Sequence, residues 1–300
     1  MDRRRFLQLA AATPFALRDL ARPASERALV TCDLESRLAL VDLTTFREVS
    51  SIATLPDPRA IELVGAHAVV CHTAVGAVSV VDGRRVVHVF DDFVEPRYVA
   101  VHPDGVHAFV TDSGRSGLVA IDVVRGRVEG RVRLPGWARH VSFREPGLAA
   151  VALGSAAEHV ALVDVRQLRR IALRTPGFRV HDVGFAPGGE LWITSGDART
   201  MTTGKRVLGA DDAPQHVTFS AGTAYVTSGD SGTLRVLDLD GRERRVTAIP
   251  KGSYNVQHGR GRVLTSSLEV GTLTVLDRGG RRLGTAQVAS SCHDACFAPT

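Results

Sequence analysis

Residues 106–134 read VHAFVTDSGRSGLVAIDVVRGRVEGRVRL, and the order of residue types in this stretch decides the fold. His107–Asp112 is a short apolar run that closes on Thr-Asp. The turn Ser113-Gly114-Arg115-Ser116-Gly117 follows, and then a second apolar run over residues 118–122. After Val123-Val124-Arg125-Gly126, residues 127–134 place Val128, Val132 and Leu134 on one face. Three β-rich runs separated by Gly, Asp and Ser turns predict antiparallel strands joined by hairpins. Arg97-Tyr98-Val99-Ala100-Val101 upstream and Arg139-His140-Val141-Ser142-Phe143 downstream read as copies of a fourth strand.

The rest of the chain repeats this unit. The aspartate that ends the third strand recurs at Asp42, Asp82, Asp122, Asp164, Asp238 and Asp277, in steps of 40, 40, 42, 74 and 39 residues. The long step holds two repeats with a degenerate copy between, around Leu191-Trp192-Ile193-Thr194 and Arg206-Val207-Leu208. Seven copies of four strands at a period near ~40 predict an all-β, seven-bladed β-propeller occupying residues 25–300 as one domain. The repeat enters at a second strand, Arg27-Ala28-Leu29-Val30-Thr31-Cys32, and finishes on a first strand, Cys292-His293-Asp294-Ala295-Cys296-Phe297. The C-terminus should therefore supply the innermost strand of the N-terminal blade, closing the ring and removing free sheet edges.

Phe109-Val110-Thr111-Asp112, Tyr225-Val226-Thr227-Ser228 and Val101-His102-Pro103-Asp104-Gly105 resemble the YVTN-type β-propeller repeat. The resemblance runs from residue 27 to the end, strongest in blades 3 and 6 and weakest in blade 5. The Gly-His and Trp-Asp signatures of WD repeats are absent. The resemblance implies a fold and an exported location; it implies no reaction.

Residues 1–24 are of a different kind. Arg3-Arg4-Arg5-Phe6-Leu7-Gln8 leads into a short apolar run that is too short to span a bilayer. Arg-Arg-x-Phe-Leu-Gln resembles the twin-arginine signal of proteins exported already folded, to the periplasm, cell surface or medium. No Ala-x-Ala follows, so the sequence leaves cleavage near Ala24 open. Of the 37 basic and 32 acidic residues, this segment holds five arginines and two aspartates. The body then carries 32 against 30, which removes the case for a nucleic-acid binder. No transmembrane span is expected, and a monomer is. Four cysteines, Cys32, Cys71, Cys292 and Cys296, allow three pairings, and spacing does not choose among them. Cys32 and Cys292 fall closest on this topology.

The first strands surround the central channel. Counting back four residues from the apolar residue that closes each gives His293, Arg59, Arg97, Arg139, His181, Gln215 and Tyr254 in ring order. Three arginines on consecutive blades form a basic arc, and guanidinium forks suit carboxylate or phosphate. Arg59, Arg97, Arg139, His181, His293 and Tyr254 are thus the candidate ligand-binding residues. The structural alternative pairs each arginine with Asp112, Asp182 or Asp294.

A metal site is not expected. Cys292 and Cys296 lie four residues apart on a strand, about 13 Å, and His181 and His293 sit on separated blades. No cofactor motif, P-loop or Gly-x-Ser-x-Gly elbow occurs. Gly229-Asp230-Ser231-Gly232 resembles a serine-protease nucleophile motif but falls where a strand turn needs Gly, Asp and Ser. The sequence favours a non-enzymatic binding protein for a small anionic ligand or a protein partner at the funnel face. The alternative is a lactonase-type hydrolase or lyase with His181, His293 or His140 as general base. A titratable pair held by a third group would separate the two.

Overall fold

The computed structural model describes residues 26–154, 158–204, 206–213 and 215–299; the export segment expected over residues 1–24 lies outside them. The described residues form 28 strands in seven four-stranded antiparallel sheets, each built from strands adjacent in sequence except at the closure. That is the seven-bladed ring expected from the repeat. Blade 1 runs from Arg27 and blades 2 to 7 open with inner strands at Pro58–Val64, Pro96–Val101, Ala138–Glu145, Val180–Phe185, Gln215–Ser220 and Gln257–Gly259. Among the described residues no helix is long and apolar enough to cross a membrane.

Ring closure has the expected register. Ala295–Phe297 is the inner strand of blade 1, with Ala28 opposite Phe297, Leu29 opposite Cys296 and Val30 opposite Ala295. His293 N donates to the Thr31 carbonyl at 3.2 Å, and Thr31 N donates to the Asp294 carbonyl at 2.9 Å.

Burial is divided among seven apolar clusters, one for each contact between neighbouring blades. A sheet with two apolar faces must cover both, and in a ring each blade does so against its two neighbours. The aspartate used as the ruler has a local reason. Asp42, Asp122, Asp164 and Asp277 each accept backbone N–H groups of the following turn, as in Thr44 and Thr45 N to Asp42 Oδ1 at 2.9 and 2.8 Å. Aspartate fits there because its short carboxylate caps a turn two or three residues ahead.

The threonine near the end of the second strand joins one blade to the next. Thr31 Oγ1 donates to the Arg59 carbonyl at 2.9 Å and Thr194 Oγ1 to the Gln215 carbonyl at 2.7 Å. Thr111 and Thr227 make the same bond to the carbonyls of Arg139 and Tyr254. The hydroxyl therefore fixes the backbone of the residue that opens the next inner strand. Thr194→Val keeps the shape but leaves the Gln215 carbonyl and the Asp182 N–H, also bonded to this hydroxyl at 3.1 Å, without their partner. A loss of about 1–3 kcal/mol is expected in urea denaturation; a change under ~0.5 kcal/mol, the size of a neutral surface substitution, would remove the clamp from the account.

All four cysteines are free, buried thiols. The pair placed closest by topology does meet: a hydrogen bond between Cys32 and Cys292 pushes the Cys292 thiol up and holds Cys32 down. Cys71 and Cys296 belong to two other inter-blade clusters.

Candidate functional site

The inner strands of blades 2 to 5 are irregular at one place, and that place is the channel. Their pairing with the second strand slips between Pro58 and Ile61, Pro96 and Tyr98, Ala138 and Val141, and Val180 and Val183. The residues skipped are Arg59 with Ala60, Arg97, Arg139 with His140, and His181 with Asp182. A bulge bends the strand and re-aims the extra side chain; here it turns successive polar residues toward the ring axis.

Two buried aspartates stabilise this arrangement. Asp182 accepts Val183 N at 2.7 Å and reaches into blade 6 to accept Val217 N at 3.0 Å. Asp294, following a histidine in the same way, accepts Ala295 N at 2.8 Å and Ile61 N of blade 2 at 3.2 Å. Asp112 caps the loop at Val94 and Glu95 with bonds of 3.1 and 2.9 Å. The three carboxylates named from sequence as arginine partners are therefore occupied with backbone.

The funnel forms as the sequence reading placed it. Arg59, Arg97, Arg139, His181, Tyr254 and His293 line one cavity of about 220 Å³, with Tyr98, His216 and Leu268 completing its wall. Arg59 Nε meets Asp57 Oδ1 at 3.0 Å, and Arg97 Nη2 meets Glu95 Oε1 at 2.5 Å, so two of the three arginines are neutralised by residues two positions earlier. Arg139 differs. No carboxylate among the described residues lies in ion-pair distance of it, and its Nε is buried without a partner. Its stem lies against Gly154, where an added Cβ would stand 2.2 Å from Arg139 Cδ.

Tyr254 Oη donates to Asp230 Oδ1 at 2.9 Å, and its ring covers Gly229, where a Cβ would stand 2.1 Å from Cδ1. The Gly-Asp-Ser-Gly motif is thus the turn that seats Tyr254. Gln215 turns away from the cavity and donates to the Asp211 carbonyl at 2.8 Å.

A second cavity of about 460 Å³ opens at the other end of the channel, walled by Glu62, Phe143, Phe185, Phe219, Gln257 and His258 among others. Tyr98 and His216 border both cavities, and His140, expected at the funnel, borders this one instead. Between the chambers lies an aromatic plug. Tyr98 stacks on His140 with ring centroids 3.5 Å apart, and His216 stands 4.5 Å from both His140 and His181. His181 and His216 face each other Nε2 to Nε2 at 2.8 Å.

The absence of a compact histidine set, read from spacing, does not hold. The ring-nitrogen ligand atoms of His140, His181 and His216 all lie within 4.8 Å of one another. Three consecutive blades supply them, and two bulges turn them inward. Spacing alone carries no sign of either bulge; the repeated polar residue at the inner-strand start was the only available signal.

The charge state of the plug is set by burial. Burial, then the neighbouring imidazoles and Arg139, hold His140 and His181 well below the usual histidine range. Burial with Arg139 does the same for His216. His293 is brought down to about 3 by burial and the three arginines. His181 and His293 therefore line the funnel as neutral groups. Burial conversely pushes Glu62 and Asp182 up to about 7, and raises Asp294 well above the usual carboxylate range.

These shifts have opposite signs in stability. The four histidines contribute stability that is present above their unfolded value of about 6.5 and lost as pH falls below it, because the unfolded chain takes up protons first. The three carboxyls contribute stability that is present below about 4 and lost as pH rises through their raised folded values, about 7 for Glu62 and Asp182. Between about pH 6.5 and 4.5 acidification protonates the unfolded chain's histidines first, and His72, lowered to about 4 by burial, and His258, also lowered by burial, add to that side, so stability should fall on balance as the pH drops. Urea midpoints that rise on acidification over that range would contradict the neutral plug.

No protein-family model and no curated protein matches the chain. Solved structures do. The chain is similar to a protein of unknown function from Desulfotomaculum acetoxidans DSM 771, at 14% identity over 91% of this chain and 99% of that one, with a TM-score of 0.74. It is also similar to apo AztD from Citrobacter koseri, at 10% identity over 91% and 98% of the two chains, with a TM-score of 0.68. At these identities the likeness shows the propeller fold.

Proposed function

We propose that this propeller is an exported binding protein that takes a small carboxylate or phosphate in the arginine funnel. The observation that carries the reading is Arg139: a guanidinium without a carboxylate partner among the described residues, facing a cavity that two further arginines and three neutral histidines also line. The side chain is half-buried and hydrogen-bonds Tyr98, but a guanidinium Nε buried without an acceptor is costly unless something anionic completes it. The cavity of about 220 Å³ falls below the ~300–1,000 Å³ of drug-sized sites, which favours a compact ligand. Export in the folded state is part of the proposal and rests on Arg3-Arg4-Arg5-Phe6-Leu7-Gln8.

The enzyme reading has one observation behind it, the His181–His216 pair with Asp182 beside it. In that pair one Nε2 donates to the other, so the lone pair a general base needs is turned onto a neighbour and not into the funnel. Binding is therefore preferred.

Melting the protein in a series of small carboxylates and phosphate esters tests the proposal. At a concentration of ~100 Kd a true ligand stabilises by about 2.7 kcal/mol, which is roughly 5–10 °C for a domain of this size. Phosphate and sulfate also stabilise by exclusion from the surface. The informative result is accordingly a shift that saturates at low concentration. A series in which none saturates would count against the anion site.

A further inference from the structure

We propose that His140, His181 and His216 form a metal site for a divalent first-row transition ion of the imidazole-binding kind. The ligand set is complete without the anion of the preceding section, so the inference stands apart from it.

Geometry carries it. His140 Nδ1 donates to the His181 carbonyl at 2.7 Å, which fixes the tautomer and leaves Nε2 as a bare acceptor. That Nε2 is buried and has no partner among the described residues, in a residue 6% exposed. A lone pair without a donor in the interior is unfavourable and calls for a proton donor or a cation. The Nε2 atoms of His181 and His216 are 2.8 Å apart, and one ring nitrogen from each of the three histidines lies within 4.8 Å of the other two. Zinc–imidazole bonds are about 2.0–2.1 Å, so two such nitrogens on one tetrahedral ion stand about 3.4 Å apart. Small ring rotations convert the present contact into that spacing, and the ion replaces the proton the two nitrogens share.

The surroundings match what such a site needs. Asp182 places its carboxylate oxygens 3.8 Å from His140 Nδ1 and 3.6 Å from His216 Nδ1, too far for a hydrogen bond but near enough to favour a bound cation electrostatically. Burial keeps all three imidazoles neutral, the form that binds metal. Arg139 opposes a cation, and Tyr98 stacks against His140 without charge. His181 and His216 also line the arginine funnel, so the fourth coordination position opens there. Three histidines with one open position is a ligand count that suits Zn²⁺, and imidazole donors also accept Cu, Ni or Co.

The surface holds another histidine group, His102, Asp104 and His107. Its bonds are accounted for by the turn: Asp104 accepts the backbone of Val106 and His107, and His102 Nε2 bonds the Pro146 carbonyl at 2.9 Å. It serves as the control.

The test uses the full chain, freed of metal with a chelator, and Zn²⁺ alone as the probe. Zn²⁺ should raise the melting temperature at one equivalent, and Co²⁺ should show the visible ligand-field bands of a tetrahedral nitrogen site. His140→Ala, His181→Ala and His216→Ala should each weaken binding roughly 100-fold or more, since even outer-shell losses cost ~10–100-fold. His107→Ala should leave it unchanged. If the buried variants do not fold, anomalous scattering from zinc-soaked crystals of the parent gives the position directly. Density between the three imidazoles supports the inference. No stabilisation by Zn²⁺ in the parent, or zinc found only at His102, Asp104 and His107, overturns it. Failure of zinc with retention of anion binding would leave the funnel reading intact.

Discussion

A chain ending at residue 290 should show no cooperative unfolding transition. The missing segment is the inner strand of blade 1, and it brings Cys292, Ala295, Cys296, Phe297 and Ala298 to under 9% exposure. Each large apolar side chain kept from water contributes about 1.5–3 kcal/mol. Deletion also bares the residues of blades 1, 2 and 7 that pack on it. It removes the Asp294 carboxylate that accepts Ile61 N and bares the inner edge of Arg27–Cys32. These losses together exceed the ~5–15 kcal/mol by which a domain is stable. A chain trimmed to begin at Ser25 keeps every described strand and should melt like the parent. Circular dichroism melts of the two truncations check this. An unchanged transition after the C-terminal deletion would mean that the ring does not depend on its closing strand.

Replacing Arg139 by glutamine should abolish anion binding and leave the unliganded protein as stable as before, or slightly more so. The expectation follows from its lack of a carboxylate partner. Arg59→Ala and Arg97→Ala each strand a half-buried acid, Asp57 or Glu95, and should lower the melting point by themselves. Arg139 leaves no such acid behind, and removing its buried, unpartnered Nε relieves a desolvation cost. A charge-assisted hydrogen bond to a ligand contributes about 1.5–3 kcal/mol, so affinity should fall about 10- to 100-fold. Gly154→Ala offers a second route. Its Cβ would stand 2.2 Å from Arg139 Cδ, so it displaces the guanidinium without changing its charge. Both variants should therefore lose the ligand-induced melting shift. A variant that loses baseline stability yet keeps the shift would assign Arg139 a structural role.

How far the sequence reaches can be seen at particular residues. The third-strand aspartates gave the period because each caps its own turn, a local device that leaves the same letter at the same place in most blades. Closure was legible because Arg27–Cys32 lacks a first strand and Ala295–Phe297 lacks a successor. The funnel set came from position within the inner strand, and all six of its residues meet at one cavity. What spacing could not carry was the bulge. Two skipped residues at Arg139-His140 and two at His181-Asp182 change which side chains point at the axis, and that change brings three histidines together. Ion-pair choice was hidden for a related reason. Asp112, Asp182 and Asp294 look like natural partners for arginine in the linear sequence, but each is taken by backbone N–H groups that appear only where the strands bulge and turn.

The central claim is that the funnel around Arg139 is an anion site, and a calorimetric titration of one small carboxylate or phosphate ester into parent and Arg139→Gln protein tests it most directly. The ligand is the one that gives the sharpest saturating melting shift. The account predicts one site per chain in the parent and an affinity at least ~10-fold weaker in the variant, with the parent's affinity falling as salt is added. Equal affinity in the two proteins would contradict it.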